Sequence, residues 1–156
     1  SIFKTYGELQ SSYKITEAII TYRSSKPITT VDQLTSILEK FAPRHQEHKF
    51  FAKVFQALRI EVNQEMESLK EMLMQTTDVL KTGGRISIIS YHSLEDRLVK
   101  NFFKSGNFGG NPEKDFYGNV LSPFKAVNRK VIVPTENEIK ENNRARSAKL
   151  RIAERV

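Results

Sequence analysis

The sequence predicts an α/β chain in which about three short strands are set among helices, preceded by a small all-helical stretch. Three observations carry that prediction. GGRISIIS (83–90) puts two glycines, which end a helix, directly before Ile86, Ile88 and Ile89, a β-branched run suited to a buried strand. AKLRIAERV (148–156) alternates Leu150 and Ile152 on one face with Lys149 and Arg151 on the other. Between residues 46 and 80, Phe51, Phe55, Leu58, Val62, Met66, Leu69, Leu73 and Leu80 recur at helical steps and form one continuous apolar stripe.

The elements follow in order. Phe3, Tyr6 and Gly7 open the chain, and a helix is predicted from about Glu8 to Arg23, with Ile15, Ile19 and Tyr22 at helical spacing. Pro27 forces a break, and Thr30 with Gln33 makes a capping box for a short helix carrying Leu34, Ile37, Leu38 and Phe41. The 46–80 stripe reads as a single long helix closed by Gly83-Gly84. After a strand near 85–91, a helix from Leu94 to Lys104 turns Leu98, Val99, Phe102 and Phe103 inward. Residues 105–123 hold four of the seven glycines and read as a long loop. Phe124–Val133 is a second strand, Thr135 with Glu138 caps a short helix to about Asn142, and the third strand covers 148–155. The resulting division is a helical unit at 1–45 and an α/β unit at 46–156. Three strands cannot form a doubly wound sheet, and an uncovered edge would pair with another chain, so self-association through exposed sheet edges is expected.

Composition narrows the class. Among 156 residues, 38% hydrophobic and 28% charged, a modest folded core is expected rather than disorder. The absence of cysteine excludes a disulfide scaffold and thiolate zinc sites. His45 and His48 lack a third ligand nearby and are read as surface residues, so no metal is expected. No apolar run reaches the roughly 18–20 residues of a membrane helix, and no signal peptide is visible, so a soluble cytoplasmic protein is expected. The chain begins Ser-Ile-Phe, without methionine, and reads as processed, tagged or cut at its start.

The net charge is +7, and residues 142–156 contribute +4 of it, with Arg144, Arg146, Lys149, Arg151 and Arg155 against Glu154 alone. Such clustering points to a polyanion, RNA or DNA, because each neutralised phosphate releases counterions. The other candidate region is the turn after the first strand, YHSLEDR (91–97), which holds an imidazole, a hydroxyl, two carboxylates and a guanidinium. Ligands bind at the carboxyl ends of strands in open α/β sheets. Two readings stand here: His92, Ser93, Asp96 and Arg97 as a binding site, or Ser93 with Asp96 as a capping box and His92 as a satisfied turn residue.

FQALRIEVNQEM (55–66), GGRISIISYHSLEDRLVK (83–100) and NNRARSAKLRIAER (142–155) resemble three signature blocks of the MraW-type methyltransferases. IFKTYGE (2–8) and KPITTVDQL (26–34) resemble that family's helical insertion. The resemblance covers nearly the whole chain, with Asn143 where proline is usual, Tyr91 where phenylalanine is, and an idiosyncratic 105–123 loop. It implies the carboxy-terminal part of a class I, S-adenosyl-L-methionine-dependent fold that methylates N4 of a cytosine in the decoding centre of 16S ribosomal RNA. It also implies that the cofactor-binding half is absent, so no cofactor-binding residue is carried over and this chain alone should be inactive. In that picture His92 and Ser93 line the base pocket or only brace the turn, Asp96 and Arg97 bond RNA or brace it, and Arg144, Arg146 and Lys149 grip phosphates of the small ribosomal subunit. The rival readings are a stand-alone RNA-binding module and a helical module whose 46–80 stripe docks a partner.

Overall fold

The computed structural model describes residues 2–128 and 130–156. They divide into two compact units, Ser1–Glu65 and Met66–Val156. The division falls inside the predicted 46–80 helix rather than at residue 45.

The first unit is helical. A short α1 (Ile2–Thr5), which the sequence reading left unassigned, precedes α2 (Ser12–Ser25), and α2 starts later than predicted. The reason is the turn between them: Glu8 takes a left-handed φ of 49°, and a Cβ on Gly7 would lie 2.8 Å from the Phe3 carbonyl oxygen. The Thr30–Gln33 capping box forms as expected and starts α3 (Val31–Leu38). In α4 (Glu47–Asn63) the buried positions are Phe50, Val54, Ala57 and Ile60. The predicted stripe is therefore rotated by about one residue, leaving Phe51, Phe55 and Leu58 as half-buried shoulders and Val62 79% exposed. Ile15, Leu38, Val54 and Ala57 are fully buried at the centre of this core, with Phe3, Leu9 and Phe50 around them.

The long helix is in fact two. Gln64 adopts φ 51°, ψ 40°, and its amide donates to the carbonyls of Ile60 and Glu61 as a left-handed cap. The Arg59 guanidinium reaches Glu65 at 2.7 Å across this break. Periodicity could not reveal it, because the apolar spacing continues into α5 (Glu65–Val79). Glutamine in the left-handed region costs about 1 kcal/mol, so local propensity did not mark it either.

The second unit is a sheet covered by helices. β1 (Arg85–Ser90) and β2 (Phe124–Ala126) both pair antiparallel with β3 (Lys149–Arg155), giving the order β1-β3-β2. Gly83, at φ 82°, does not cap α5, which ends at Val79; its amide instead donates to the Arg155 carbonyl and starts the sheet. The register sets Ile86 opposite Ala153 and Ile88 opposite Arg151, and paired residues share a face. That face packs on α6 (Ser93–Ser105), where Val99, Phe102 and Phe103 join Leu73, Phe124 and Ala153 in the core. Ile89 points the other way and is 55% exposed, so only two of the three isoleucines are core residues.

β2 is much shorter than the predicted 124–133 strand. Ala126 lies opposite Ala153 and the Val127 amide still donates to the Ile152 carbonyl, after which the next pairing with β3 among the described residues is Ile132 opposite Leu150. Five residues of sequence thus separate the two pairings on one side and two on the other. The 105–123 loop contains a hairpin, with Lys114 bridged to Val120. Asp115 Oδ1 accepts the amides of Tyr117 and Asn119, which leaves Phe116 and Tyr117 97% and 86% exposed at the tip. Thr135 caps α7 (Glu136–Glu141), and a 3₁₀ segment (Asn143–Ser147) leads into β3. Among the described residues no helix is long and apolar enough to cross a membrane.

Candidate functional site

The turn between β1 and α6 is built around His92, not Ser93. His92 is the N-cap, with extended φ −135° and ψ 165°, and its Nδ1 accepts the Glu95 amide at a long 3.4 Å. Glu95 returns the bond, its carboxylate accepting the amides of Tyr91 at 2.9 Å and His92 at 3.4 Å. The capping box is therefore shifted by one residue from the predicted Ser93–Asp96 pair. An imidazole Nδ1 sits as far from its backbone as an asparagine oxygen, which allows it this role. With Nδ1 accepting, a neutral ring carries its proton on Nε2. That nitrogen is buried and lacks a well-directed hydrogen bond, although Glu95 Oε1 lies 3.3 Å away off the N–H line. Burial pushes the Glu95 carboxyl up, but the His92 contact and the Tyr91 amide outweigh this and hold it below the usual range.

Asp96 faces the sheet. It is 9% exposed, and Arg151 grips it with Nε at 2.7 Å and Nη2 at 3.2 Å, while Lys149 Nζ stands at 3.4 Å. Burial opposes ionisation, yet the Arg151 hydrogen bonds and charge, followed by Lys149, keep the carboxyl below its ordinary value. The charged face of β3 is thus turned toward α6, and Lys149 is engaged by a carboxylate although its side chain stays partly exposed. Arg151 was absent from the predicted set. Its signal was weak, because an arginine alternating with apolar residues on a strand reads as an exposed face.

The remaining predicted residues are exposed. Ser93 and Arg97 are exposed on the first turn of α6. Arg144 and Arg146 are exposed on the 3₁₀ segment, which is held by buried Ala145 and by Asn142 Oδ1 accepting the Arg144 amide at 3.1 Å. His92, Asp96 and Lys149 come together around the carboxyl end of β1, where Lys149 sits opposite Ser90. A separate cavity of about 210 Å³, lined by Lys100, Phe103, Lys104, Ala126, Asn128, Lys130, Arg151 and Ile152, was not predicted. In the helical unit, an open groove carries Lys14, Glu17, Tyr22, Asp32, Lys40 and Phe41, a lining of mixed charge.

Fold and site together define an α/β unit in which Lys149 and Arg151 share Asp96 while Arg144 and Arg146 are exposed. The model of the MraW methylase family matches residues 1–156, and the chain belongs to that family. It is similar to "Ribosomal RNA small subunit methyltransferase H" of Parabacteroides distasonis, 56% identical over 155 residues that make up 99% of this chain and 51% of the relative. The proteins of the same name from Flavobacterium johnsoniae and Cytophaga hutchinsonii are 54% and 56% identical over 99% of the chain, covering 51% and 52% of their own lengths. The chain therefore spans about half the length of the curated relatives it matches.

Proposed function

We propose that this chain forms the carboxy-terminal part of an S-adenosyl-L-methionine-dependent methyltransferase acting on N4 of a cytosine in the decoding centre of 16S ribosomal RNA. The observation that carries the reading is the match to the family along all 156 residues together with coverage of only half of each relative. The central β3, antiparallel to both neighbours, supports a class I architecture, whose last strands form such an antiparallel flap. The open edge of β1 would then be covered by the remaining sheet, and copies of this chain lacking that cover would associate through it.

The methyl donor does not fit the β1–α6 turn. The amides of Tyr91 and His92 are taken by Glu95, and that of Glu95 by His92. We assign the donor site to the half that the relatives carry outside the matched region. This chain's residues divide the remaining work. Arg151 and Lys149 lock Asp96, and His92 with Glu95 locks the turn, so the loop after β1 is held rigid where a flipped-out base would have to be positioned. Ser93 and Arg97, exposed at the start of α6, face the RNA, and Arg144 and Arg146 contact phosphates. A cytoplasmic location accords with a ribosomal substrate.

The test supplies the separately expressed amino-terminal half of a relative, S-adenosyl-L-methionine and small subunits lacking the modification, with and without this chain. Incorporation on a cytosine N4 that requires the chain is the expected result. A folded complex of the two halves that transfers no methyl group would contradict the reading and leave an RNA-binding module.

A further inference from the structure

We infer that the cavity between α6 and the β2–β3 edge is a binding site for a backbone phosphate of single-stranded RNA; the inference rests on the rRNA reading above. Four of its eight lining residues are cationic, Lys100, Lys104, Lys130 and Arg151, and none is acidic. Lys100 and Lys104 stand one helical turn apart on α6 and so project from the same face. Lys130 lines the cavity from the stretch between β2 and the Ile132–Leu150 bridge, which adds a third lysine to its wall.

Charge accounting separates these groups from the rest. Among the described residues, Lys100, Lys104 and Lys130 make no ion pair, whereas Arg151 spends Nε and Nη2 on Asp96. Three lysines line one cavity without an ion pair among the described residues, and their combined positive charge favours an anion there. Size selects the anion. At about 210 Å³ the cavity falls below the roughly 300–1,000 Å³ of pockets that enclose a drug-sized ligand. It suits a phosphate group rather than a whole nucleotide. Asn128 adds an amide able to donate to a phosphate oxygen, and buried Phe103 supplies an apolar wall. Lysines placed as point charges match the contacts that fix nucleic-acid register without reading sequence.

The test measures affinity of the full chain for a single-stranded 16S rRNA oligonucleotide across a salt series, alongside calorimetry with inorganic phosphate. For Lys100→Gln/Lys104→Gln, RNA affinity should fall roughly 3- to 10-fold, and the slope of log K against log salt should flatten by about 0.7 for one lost phosphate contact. Lys130→Gln should move both quantities the same way, which guards against a local effect on α6. Circular dichroism and urea midpoints establish that each variant is folded. Wild-type affinity and slope in both variants, with Arg144→Gln/Arg146→Gln still weakening binding, would overturn the cavity assignment and leave the RNA reading intact. Phosphate binding that the lysine substitutions abolish, with no RNA binding by the wild-type chain, would overturn the assignment to RNA and make the cavity a free-phosphate site.

Discussion

Lys149 and Arg151 stand two residues apart on β3, and Lys100 and Lys104 stand four apart on α6. Both spacings put two cations on one face of a regular element. The strand pair faces inward onto Asp96, which binds Arg151 at 2.7 Å and Lys149 at 3.4 Å. The helix pair faces a cavity whose lining holds no carboxylate. Equal charge therefore has opposite consequences. The first pair couples strand to helix and is half neutralised by one shared carboxylate, while the second retains its full positive charge and can take a phosphate. Counting basic residues along the chain does not separate these cases, but assigning each cation its partner does.

The largest way to break the comparison is to remove the shared carboxylate. Asp96→Asn leaves Arg151 poorly paired beside the core, and a loss of about 3 kcal/mol in unfolding free energy is expected from urea denaturation. RNA affinity of the folded fraction should not fall, because Arg151, which lines the cavity, loses its counterion. Acidification probes the same contact. A carboxyl held below its ordinary value stabilises the fold fully above its unfolded pKa of about 4, and the contribution is lost as pH falls through the lowered folded value. Urea midpoints should therefore drop more steeply below about pH 4 in the wild type than in Asp96→Asn.

Smaller effects sharpen the contrast. His92→Ala removes the α6 cap and should cost about 1 kcal/mol of stability, comparable to Thr30→Ala at the start of α3. Lys100→Gln/Lys104→Gln should stay within about 0.5 kcal/mol of wild-type stability while weakening RNA binding. Lys149→Gln should be smallest. Its side chain is 39% exposed, and Arg151 alone still neutralises Asp96, so less than about 1 kcal/mol of stability and little RNA affinity should be lost.

These differences show what the sequence could and could not reveal. Thr30–Gln33 and Thr135 were legible because a cap depends on residues within a few positions of one another, whereas the β3 alternation did not reveal that its charged face turns inward. The Gln64 break was hidden, since a left-handed residue leaves no mark on apolar spacing. The one-residue rotation of α4 has a similar cause. Phe50-Val54-Ala57 and Phe51-Phe55-Leu58 are both plausible helical stripes, and only packing decides between them. The strand-to-helix turn after Ser90 was legible in the sequence, but the cap was placed on Ser93 instead of His92. The Asp96–Arg151 pair joins residues 55 positions apart, and the lysine cavity joins three elements. Neither is written in local spacing.

The most direct measurement is lysine footprinting: acetylation of the chain with and without a single-stranded 16S rRNA fragment, followed residue by residue by mass spectrometry. The account predicts that RNA shields Lys100, Lys104 and Lys130 and leaves the reactivity of Lys149 unchanged. Protection of Lys149 with undiminished reactivity at Lys100 and Lys104 would contradict it.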